Sequence, residues 1–209
     1  MAARIEQLVT SGTFSLDGGT WDVDNNVWIV GDDAEVIVID PAHDTAAIVQ
    51  AVGERDVLGI LLTHGHDDHI RAAVETARAL DAHLYLHPAD LFIWEETYEN
   101  ELPDFELADG ATFFAAGVEL ATLHTPGHPP GSVSFVAPAL GAVFTGDTLF
   151  NGGPGATGRS YSDFPTIIES IKAHLLTLPE ETVVYTGHGD TTSIGDEKPH
   201  LDEWIARGH

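Results

Sequence analysis

Short apolar runs alternate with amphipathic segments along the first half of the chain, and this pattern predicts alternating strands and helices. Four runs have the length of a buried strand, namely 27–30, 36–39, 57–62 and 82–86. The segments 44–52 and 70–80 predict helices, because apolar residues in the second of them recur on one helical face. An alternation of this kind is typical of an α/β protein.

The second half of the chain repeats this pattern with more strands. The predicted strands are 112–114, 118–123, 132–136, 142–145 and 182–185. One helix is predicted over 163–178, with Asp163 as its N-cap and Pro165 in its first turn. The glycine-rich segment 151–161 predicts a long irregular loop, and loops of this kind often carry function.

Composition restricts the class of protein and its partners. The chain has 209 residues, 43% of them apolar and 20% charged, which predicts a single globular domain over residues 1–209. Eight Lys and Arg against 34 Asp and Glu give a net charge of −26, so we expect neither nucleic acid nor a membrane surface as a partner. No apolar run approaches the ~18 residues of a membrane span, and no signal segment is evident, so a cytoplasmic protein is expected.

The absence of cysteine excludes disulfides, thiolate metal sites and a cysteine nucleophile. Histidine is instead abundant, and it is concentrated directly after the strand 57–62. The segment Thr-His-Gly-His-Asp-Asp-His at 63–69 places His64, His66, Asp68 and His69 within six residues. A single histidine in a turn is usually just solvated, but burying this cluster would leave several polar nitrogens unpaired. A bound cation would satisfy them together.

Three further candidate ligands each follow a predicted strand. They are His128 in Thr-Pro-Gly-His, Asp147 in Thr-Gly-Asp-Thr and His188 in Thr-Gly-His-Gly. A glycine beside each of them permits a sharp turn and a close backbone approach. Because open α/β folds place their sites at strand ends, we expect these side chains to join the 63–69 cluster.

The order His-x-His-x-Asp-His, His, Asp, His resembles the metallo-β-lactamase superfamily. Thr-Pro-Gly-His and Phe-Thr-Gly-Asp-Thr-Leu-Phe resemble its glyoxalase II (hydroxyacylglutathione hydrolase) branch, and the match spans roughly residues 20–195. The resemblance implies a four-layer αββα sandwich with two metal ions at one edge. It assigns His64, His66 and His128 to the first ion, Asp68, His69 and His188 to the second, and Asp147 to a bridge between them. Imidazole and carboxylate ligands suit zinc, with iron and manganese as alternatives.

This resemblance implies a metal-dependent hydrolase acting on a small-molecule thioester through a hydroxide that bridges the two metals. Asp68 would orient that hydroxide and shuttle its proton. Three alternatives remain open. They are a persulfide dioxygenase with one iron, a hydrolase of another ester or a lactone, and a non-catalytic module stabilised by metal.

Other residues have both a functional and a structural interpretation. Asp40 is expected to orient a metal-binding histidine, or to form a turn before Pro41. Arg159 and Tyr161 fall where glyoxalase II enzymes contact their thiol cofactor. Arg159 would bind a substrate carboxylate or pair with Asp163. Aromatic residues Phe92, Trp94 and Tyr98 would line the pocket or, more commonly, pack in the core. The remaining histidines, namely His43, His83, His87, His124, His174, His200 and His209, are expected to be structural or solvated.

The chain departs from full-length glyoxalase II after His188. Only residues 189–209 follow this histidine, so the helical C-terminal domain of those enzymes is expected to be missing. The basic residues which that domain supplies would be missing with it. The resemblance therefore implies a thioesterase activity for this chain, but it does not imply a specificity for glutathione.

Overall fold

Two six-stranded sheets dominate the computed structural model, which describes residues 2–208. The first half contains β1 (Arg4–Leu16), β2 (Gly19–Gly31), β3 (Glu35–Ile39), α1 (Thr45–Val52), β4 (Asp56–Leu61), α2 (Asp67–Ile70), α3 (Ala73–Leu80), β5 (Leu84–Leu86), α4 (Leu91–Thr97) and β6 (Phe105–Glu106). The first sheet has the order β1-β2-β3-β4-β5-β6. Its first three strands are antiparallel, and β3 to β6 are parallel.

The second half of the chain builds the other sheet and a second helical layer. It contains β7 (Thr112–Ala115), β8 (Val118–His124), β9 (Val133–Ala137), β10 (Ala142–Gly146), β11 (Leu149–Phe150), β12 (Gly153–Pro154), α5 (Phe164–Ser170), β13 (Val183–Thr186), β14 (Thr192–Ser193), α6 (Ile194–Glu197) and α7 (Leu201–Arg207). The sheet order is β14-β13-β10-β9-β8-β7, and β11 and β12 form a separate small hairpin. None of the helices within residues 2–208 has the length and apolar character needed to cross a bilayer.

Burial of both faces of the first sheet explains the layers. On β2, Val27 and Ile29 pack with Ile48 of α1 in one apolar cluster, whereas Trp28 and Val30 pack with Phe135 of β9 in another. Successive strand residues point to opposite faces, so β1 to β5 each contribute to both clusters. A third cluster joins the second sheet to α5 and α7. The four layers are therefore helices, sheet, sheet and helices, as the resemblance implies.

The long hairpin of β1 and β2 was not predicted beyond the apolar run 27–30. Its two 13-residue strands pair along their full length, and the continuously buried part is residues 25–31 of β2. The turn is formed by Asp17 and Gly18, whose φ angles of 53° and 78° suit a tight two-residue hairpin. The outer half carries no continuous apolar run, because it extends away from the core.

Several helices also differ from the prediction. The expected helix 70–80 is divided into α2 and α3, and α4, α6 and α7 were not predicted. The helix expected over 163–178 begins at its Asp163 cap as predicted, but α5 ends at Ser170 and continues as a π-helical segment, Ile171–Leu175. Within the expected irregular loop 151–161, β12 pairs with β11. Trp94 on α4 is fully buried in the core and does not line the pocket.

Candidate metal centre

Three histidines converge at the edge where the strands of both sheets end. His64 and His66 lie in the connection from β4 to α2, and His128 lies in the turn that follows β8. Ligand atoms of the three imidazoles lie within 4.8 Å of one another. The Nε2 atom of each is buried and has no hydrogen-bond partner. Buried polar atoms almost always have a partner, so this trio fits a cation that accepts three nitrogen ligands.

A second group of ligands adjoins the first. Asp68, His69 and His188 form another set whose ligand atoms lie within 4.8 Å of one another. His188 Nε2 lies 3.2 Å from Asp68 Oδ2 and also 3.2 Å from His69 Nε2. Two imidazole nitrogens and one carboxylate oxygen are again suitable ligands for a divalent metal.

Asp147 lies between the two sets. Its Oδ1 is 3.3 Å from His69 Nε2, and its Oδ2 is 3.4 Å from His128 Nε2 and 3.5 Å from His188 Nε2. Gly187 packs so closely that a Cβ there would lie 2.2 Å from Asp147 Oδ1. The structure therefore brings all seven expected ligands together, with this carboxylate in contact with both sets.

The two sets differ in the protonation of their histidines. Burial lowers the pKa of His64 well below its usual value and that of His66 to about 3, so both imidazoles are neutral and can donate a lone pair. Burial also opposes protonation of His188, but the Asp147 and Asp68 carboxylates raise its pKa to about 10. They raise the pKa of His69 as well, against its burial. Protons thus supply at the second set the positive charge that a cation would bring.

Asp40 organises the 63–69 segment from behind. Its Oδ1 accepts a hydrogen bond from Thr63 N at 2.7 Å, and its Oδ2 accepts from Thr63 Oγ1 at 2.6 Å and from His69 Nδ1 at 2.9 Å. Because the Thr63 hydroxyl donates to Asp40, its oxygen accepts from His64 Nδ1 at 3.0 Å. Protons on Nδ1 leave Nε2 of both histidines directed to the cluster, which is how partners of metal-binding histidines fix the tautomer.

Backbone carbonyls orient two other histidines in the same way. His128 Nδ1 lies 2.9 Å from Ala156 O, and His188 Nδ1 lies 2.7 Å from Asp24 O. Since a carbonyl oxygen only accepts, Nδ1 carries the proton in both rings. Nε2 of each imidazole therefore faces the cluster; His188 becomes a metal ligand when this nitrogen loses the proton that its raised pKa retains.

Asn25 and His43 contribute contacts that the sequence analysis missed. Asn25, fully buried on β2, donates from Nδ2 to Asp68 Oδ2 at 3.0 Å and accepts on Oδ1 from His43 Nε2 at 2.8 Å. His43 was expected to be structural or solvated, yet this bond links it to Asp68 through Asn25. Two adjacent asparagines, Asn25 and Asn26, directly precede the apolar run 27–30, and that polar pair was the available signal.

A cavity of about 320 Å³ opens onto the cluster. Five of the seven candidate ligands line it, namely His66, Asp68, His128, Asp147 and His188. The β1–β2 hairpin supplies an apolar wall of Phe14, Leu16, Trp21 and Val23. The Phe14 ring packs edge-on against His66, with 5.3 Å between the ring centroids. The wall thus reaches the ligands themselves.

The 158–162 loop closes another side of this cavity. The Arg159 guanidinium lies 3.9 Å from the centroid of the Trp21 ring, a cation–π contact at the cavity wall. Ser160 fixes the loop to the hairpin turn, because its hydroxyl donates to Asp17 Oδ1 at 2.5 Å. Asp163, the alternative partner of Arg159, instead caps α5 by accepting from Thr166 N. Arg159 is therefore placed to meet a ligand in the cavity.

Tyr161 lies outside this cavity. Its side chain is 41% exposed, its hydroxyl donates to Glu96 Oε1 at 2.8 Å, and its ring packs edge-on against Phe92. Tyr161 thus contacts α4 and does not line this cavity.

Comparison with known proteins agrees with these features. Residues 20–188 match the family model of the metallo-β-lactamase superfamily. Hydroxyacylglutathione hydrolase GloC of Haemophilus influenzae is 32% identical over 182 residues, which cover 80% of this chain and 86% of GloC. The di-iron-bound structure of TTHA1623 is 35% identical with a TM-score of 0.75, over 84% of this chain and 93% of its own.

A third similar protein covers nearly the whole chain. ETHE1 from Myxococcus xanthus is 25% identical with a TM-score of 0.77, over 98% of this chain and 89% of its own. The family match, the layer order and the ligand motifs agree with one another. The chain therefore belongs to the metallo-β-lactamase superfamily and is a hydrolase-type enzyme of that superfamily.

Proposed function

We propose that the chain is a thioester hydrolase that works with two divalent metal ions, most suitably zinc. The observation that carries the proposal is the convergence of three buried Nε2 atoms without partners beside a second set of ligands, with Asp147 in contact with both sets. The similarity to a hydroxyacylglutathione hydrolase supports a thioester as the substrate. The −26 net charge disfavours a nucleic acid substrate.

We assign one metal to His64, His66 and His128 and the other to Asp68, His69 and His188, with Asp147 between them. Bound divalent cations supply Lewis acidity, which lowers the pKa of water toward ~7 and polarises a substrate carbonyl. Asp68 orients the attacking water and moves its proton. In the metal-free protein the protonated His69 and His188 hold the pKa of Asp68 at about 2 against its burial, so this carboxylate is ionised and available as a ligand before metal binds. Asn25 fixes its orientation through Nδ2.

The cavity suggests the character of the substrate. Its wall from the β1–β2 hairpin is apolar, and Arg159 places a guanidinium beside it. An apolar acyl group would pack against Phe14 and Leu16, while a carboxylate on the thiol portion would pair with Arg159. We therefore expect anionic thioesters to be preferred over neutral ones.

The second candidate function is a persulfide dioxygenase with a single iron. It is favoured by the three-histidine set, which is complete without the second group of ligands. A di-iron-bound relative at 35% identity also shows that iron is accepted by a similar protein. Hydrolysis of an oxygen ester or a lactone is the third candidate, because it needs the same metals and the same attacking water.

Metal analysis combined with substrate screening tests these assignments. The purified protein is analysed for zinc, iron and manganese, and then assayed with thioesters, oxygen esters, lactones and a persulfide while oxygen uptake is recorded. We expect about two metal ions per chain and fastest turnover of an anionic thioester. Asp147→Asn should abolish this turnover, whereas Asp163→Asn, at a helix cap, should preserve it. One iron per chain with oxygen consumption and no hydrolysis would establish the dioxygenase instead.

A further inference from the structure

Asp90 is a buried carboxylate that belongs to neither set of candidate ligands. It directly precedes α4 and has no exposed surface. Its Oδ2 accepts a hydrogen bond from Gly65 N at 2.9 Å, and its Oδ1 accepts from Gly131 N at 2.6 Å. Gly65 lies between His64 and His66, and Gly131 lies three residues after His128. One carboxylate therefore joins the two turns that carry the three-histidine set.

We propose that Asp90 is a positioning residue that holds these two turns together so that the three imidazoles converge before metal binds. The inference depends on the metal site of the proposed function, but not on its substrate. Another hydrogen bond, from Val133 N to Thr63 O at 2.8 Å, joins the bases of the same segments. Asp90 acts nearer the histidines, on the amides of Gly65 and Gly131.

The packing around Asp90 explains why both of its partners are glycines. A Cβ at Gly131 would lie 2.5 Å from Asp90 Cγ, and a Cβ at Gly65 would lie 3.0 Å from Asp90 O. Real Cβ atoms do not approach other heavy atoms as closely as 2.5 Å. The absence of a side chain at each position thus lets the carboxylate reach both amides directly.

Accepting hydrogen bonds from both turns requires a carboxylate at position 90. Burial raises the pKa of Asp90 to about 6, so the group is still ionised at neutral pH and both oxygens accept. An asparagine of the same size accepts through one oxygen only, and its NH₂ group would face the other backbone N–H. Asp90→Asn should therefore release one of the two turns while leaving the volume of the core unchanged.

Stability alone does not account for this carboxylate. An ionised group buried without a paired cation usually costs stability, which an apolar side chain would avoid. Its two oxygens accept from turns that carry metal ligands, and its negative charge lies close enough to His128, one of these ligands, to interact with it electrostatically. Both features indicate that Asp90 supports metal binding more than it supports the stability of the fold.

Glu197 offers a matched control. It is also a buried carboxylate, 3% exposed, and accepts from Gly152 N at 3.0 Å and from Thr192 Oγ1 at 2.7 Å. It lies on α6 and contacts no candidate ligand through these bonds. Both bonds end on Oε1, so Glu197→Gln removes the charge of a buried carboxylate while keeping its hydrogen bonds and leaving the two turns untouched.

The first measurement is the affinity of metal-free protein for zinc, determined by competition with a chromophoric chelator. We expect Asp90→Asn to weaken binding of the first zinc by about 10–100-fold, the usual effect of removing a group that orients metal ligands. Glu197→Gln should bind zinc within about twofold of wild type. Equal zinc affinity in wild type and Asp90→Asn, or an equal loss in both variants, would overturn the proposal.

The second measurement is amide hydrogen exchange in the metal-free protein. Its result in wild type tests the proposal by itself, and Asp90→Asn adds a comparison when that variant folds. The Gly65 and Gly131 amides should exchange slowly, and at least one should exchange more than tenfold faster in Asp90→Asn. Rapid exchange of both amides in wild type would overturn the proposal even if Asp90→Asn failed to fold. If the wild-type protein bound zinc tightly but hydrolysed no thioester in the screen, the proposed function would be refuted, whereas this role of Asp90 would still hold.

Discussion

Replacement of Asp40 by asparagine tests how the histidine tautomers are set. The side chain keeps its size, so Thr63 N still finds an acceptor. The atom at the position of Oδ2 becomes an NH₂ group, which donates where the carboxylate accepted from the Thr63 hydroxyl and from His69 Nδ1. His69 must then accept on Nδ1 and carry its proton on Nε2, the nitrogen that faces Asp68 and Asp147. This tautomer blocks the ligand position.

The expected magnitude follows from the bond that is lost. A hydrogen bond to a charged group contributes about 1.5–3 kcal/mol, and each 1.4 kcal/mol is a factor of ten in an equilibrium constant. The dissociation constant for the second metal should therefore rise by about 10–100-fold in Asp40→Asn. His64 should be affected too, because its Nδ1 partner is the hydroxyl of Thr63.

Chelator competition gives both zinc dissociation constants, and nitrogen-resolved NMR of the zinc-loaded protein reports the histidine tautomers. Asp44→Asn is the control, since it removes a nearby carboxylate that only caps α1 by accepting from Ala47 N at 3.0 Å. We expect this control to bind zinc as wild type does. If Asp40→Asn bound both metals with wild-type affinity, the assignment of Asp40 to orienting these histidines would be wrong.

Three further predictions concern protons, substrate charge and the core. His69 and His188 have raised pKa values and must lose protons to bind metal, so affinity at the second position should increase with pH from about 6 to 9. Calorimetry in buffers of different ionisation enthalpy measures this proton release, and its absence at pH 7 would contradict the assigned ligands. Arg159→Gln should raise KM for an anionic thioester about tenfold, the size of one charged hydrogen bond, and leave kcat and neutral thioesters unchanged; equal effects on both substrates would exclude a charge interaction. Trp94→Ala should lower the free energy of unfolding by about 3–5 kcal/mol in urea denaturation, because its side chain is fully buried and its indole donates to Glu101 O; a loss below 1 kcal/mol would show that the core is not packed as described.

Local spacing made the candidate ligands predictable. His64, His66, Asp68 and His69 are close together in sequence, and the other three candidates each follow a strand beside a glycine. Strand ends that meet at one edge bring such residues together whatever the details of the loops. The layer order was implied by the resemblance of these motifs, and the continuous apolar runs of β2 and β3 agree with it, because a sheet between two layers is buried on both faces.

Asp40 was expected to orient a ligand, but Asn25 and Asp90, which also support this segment, were not predictable by spacing. Asn25 contacts Asp68 across 43 positions, and Asp90 contacts Gly65 across 25 and Gly131 across 41. Such bonds depend on the docking of whole elements, which no local pattern records. The outer half of the β1–β2 hairpin was missed because it projects beyond the core, although the Asp17-Gly18 pair was a turn signal.

Anomalous diffraction from crystals grown with excess zinc tests the central claim most directly. We predict two zinc peaks in each chain. One should lie about 2.0–2.1 Å from Nε2 of His64, His66 and His128, and the other at bonding distance from Asp68, His69 and His188, with Asp147 reaching both. Zinc peaks elsewhere only, or none at this edge of the sheets under saturating metal, would contradict the account.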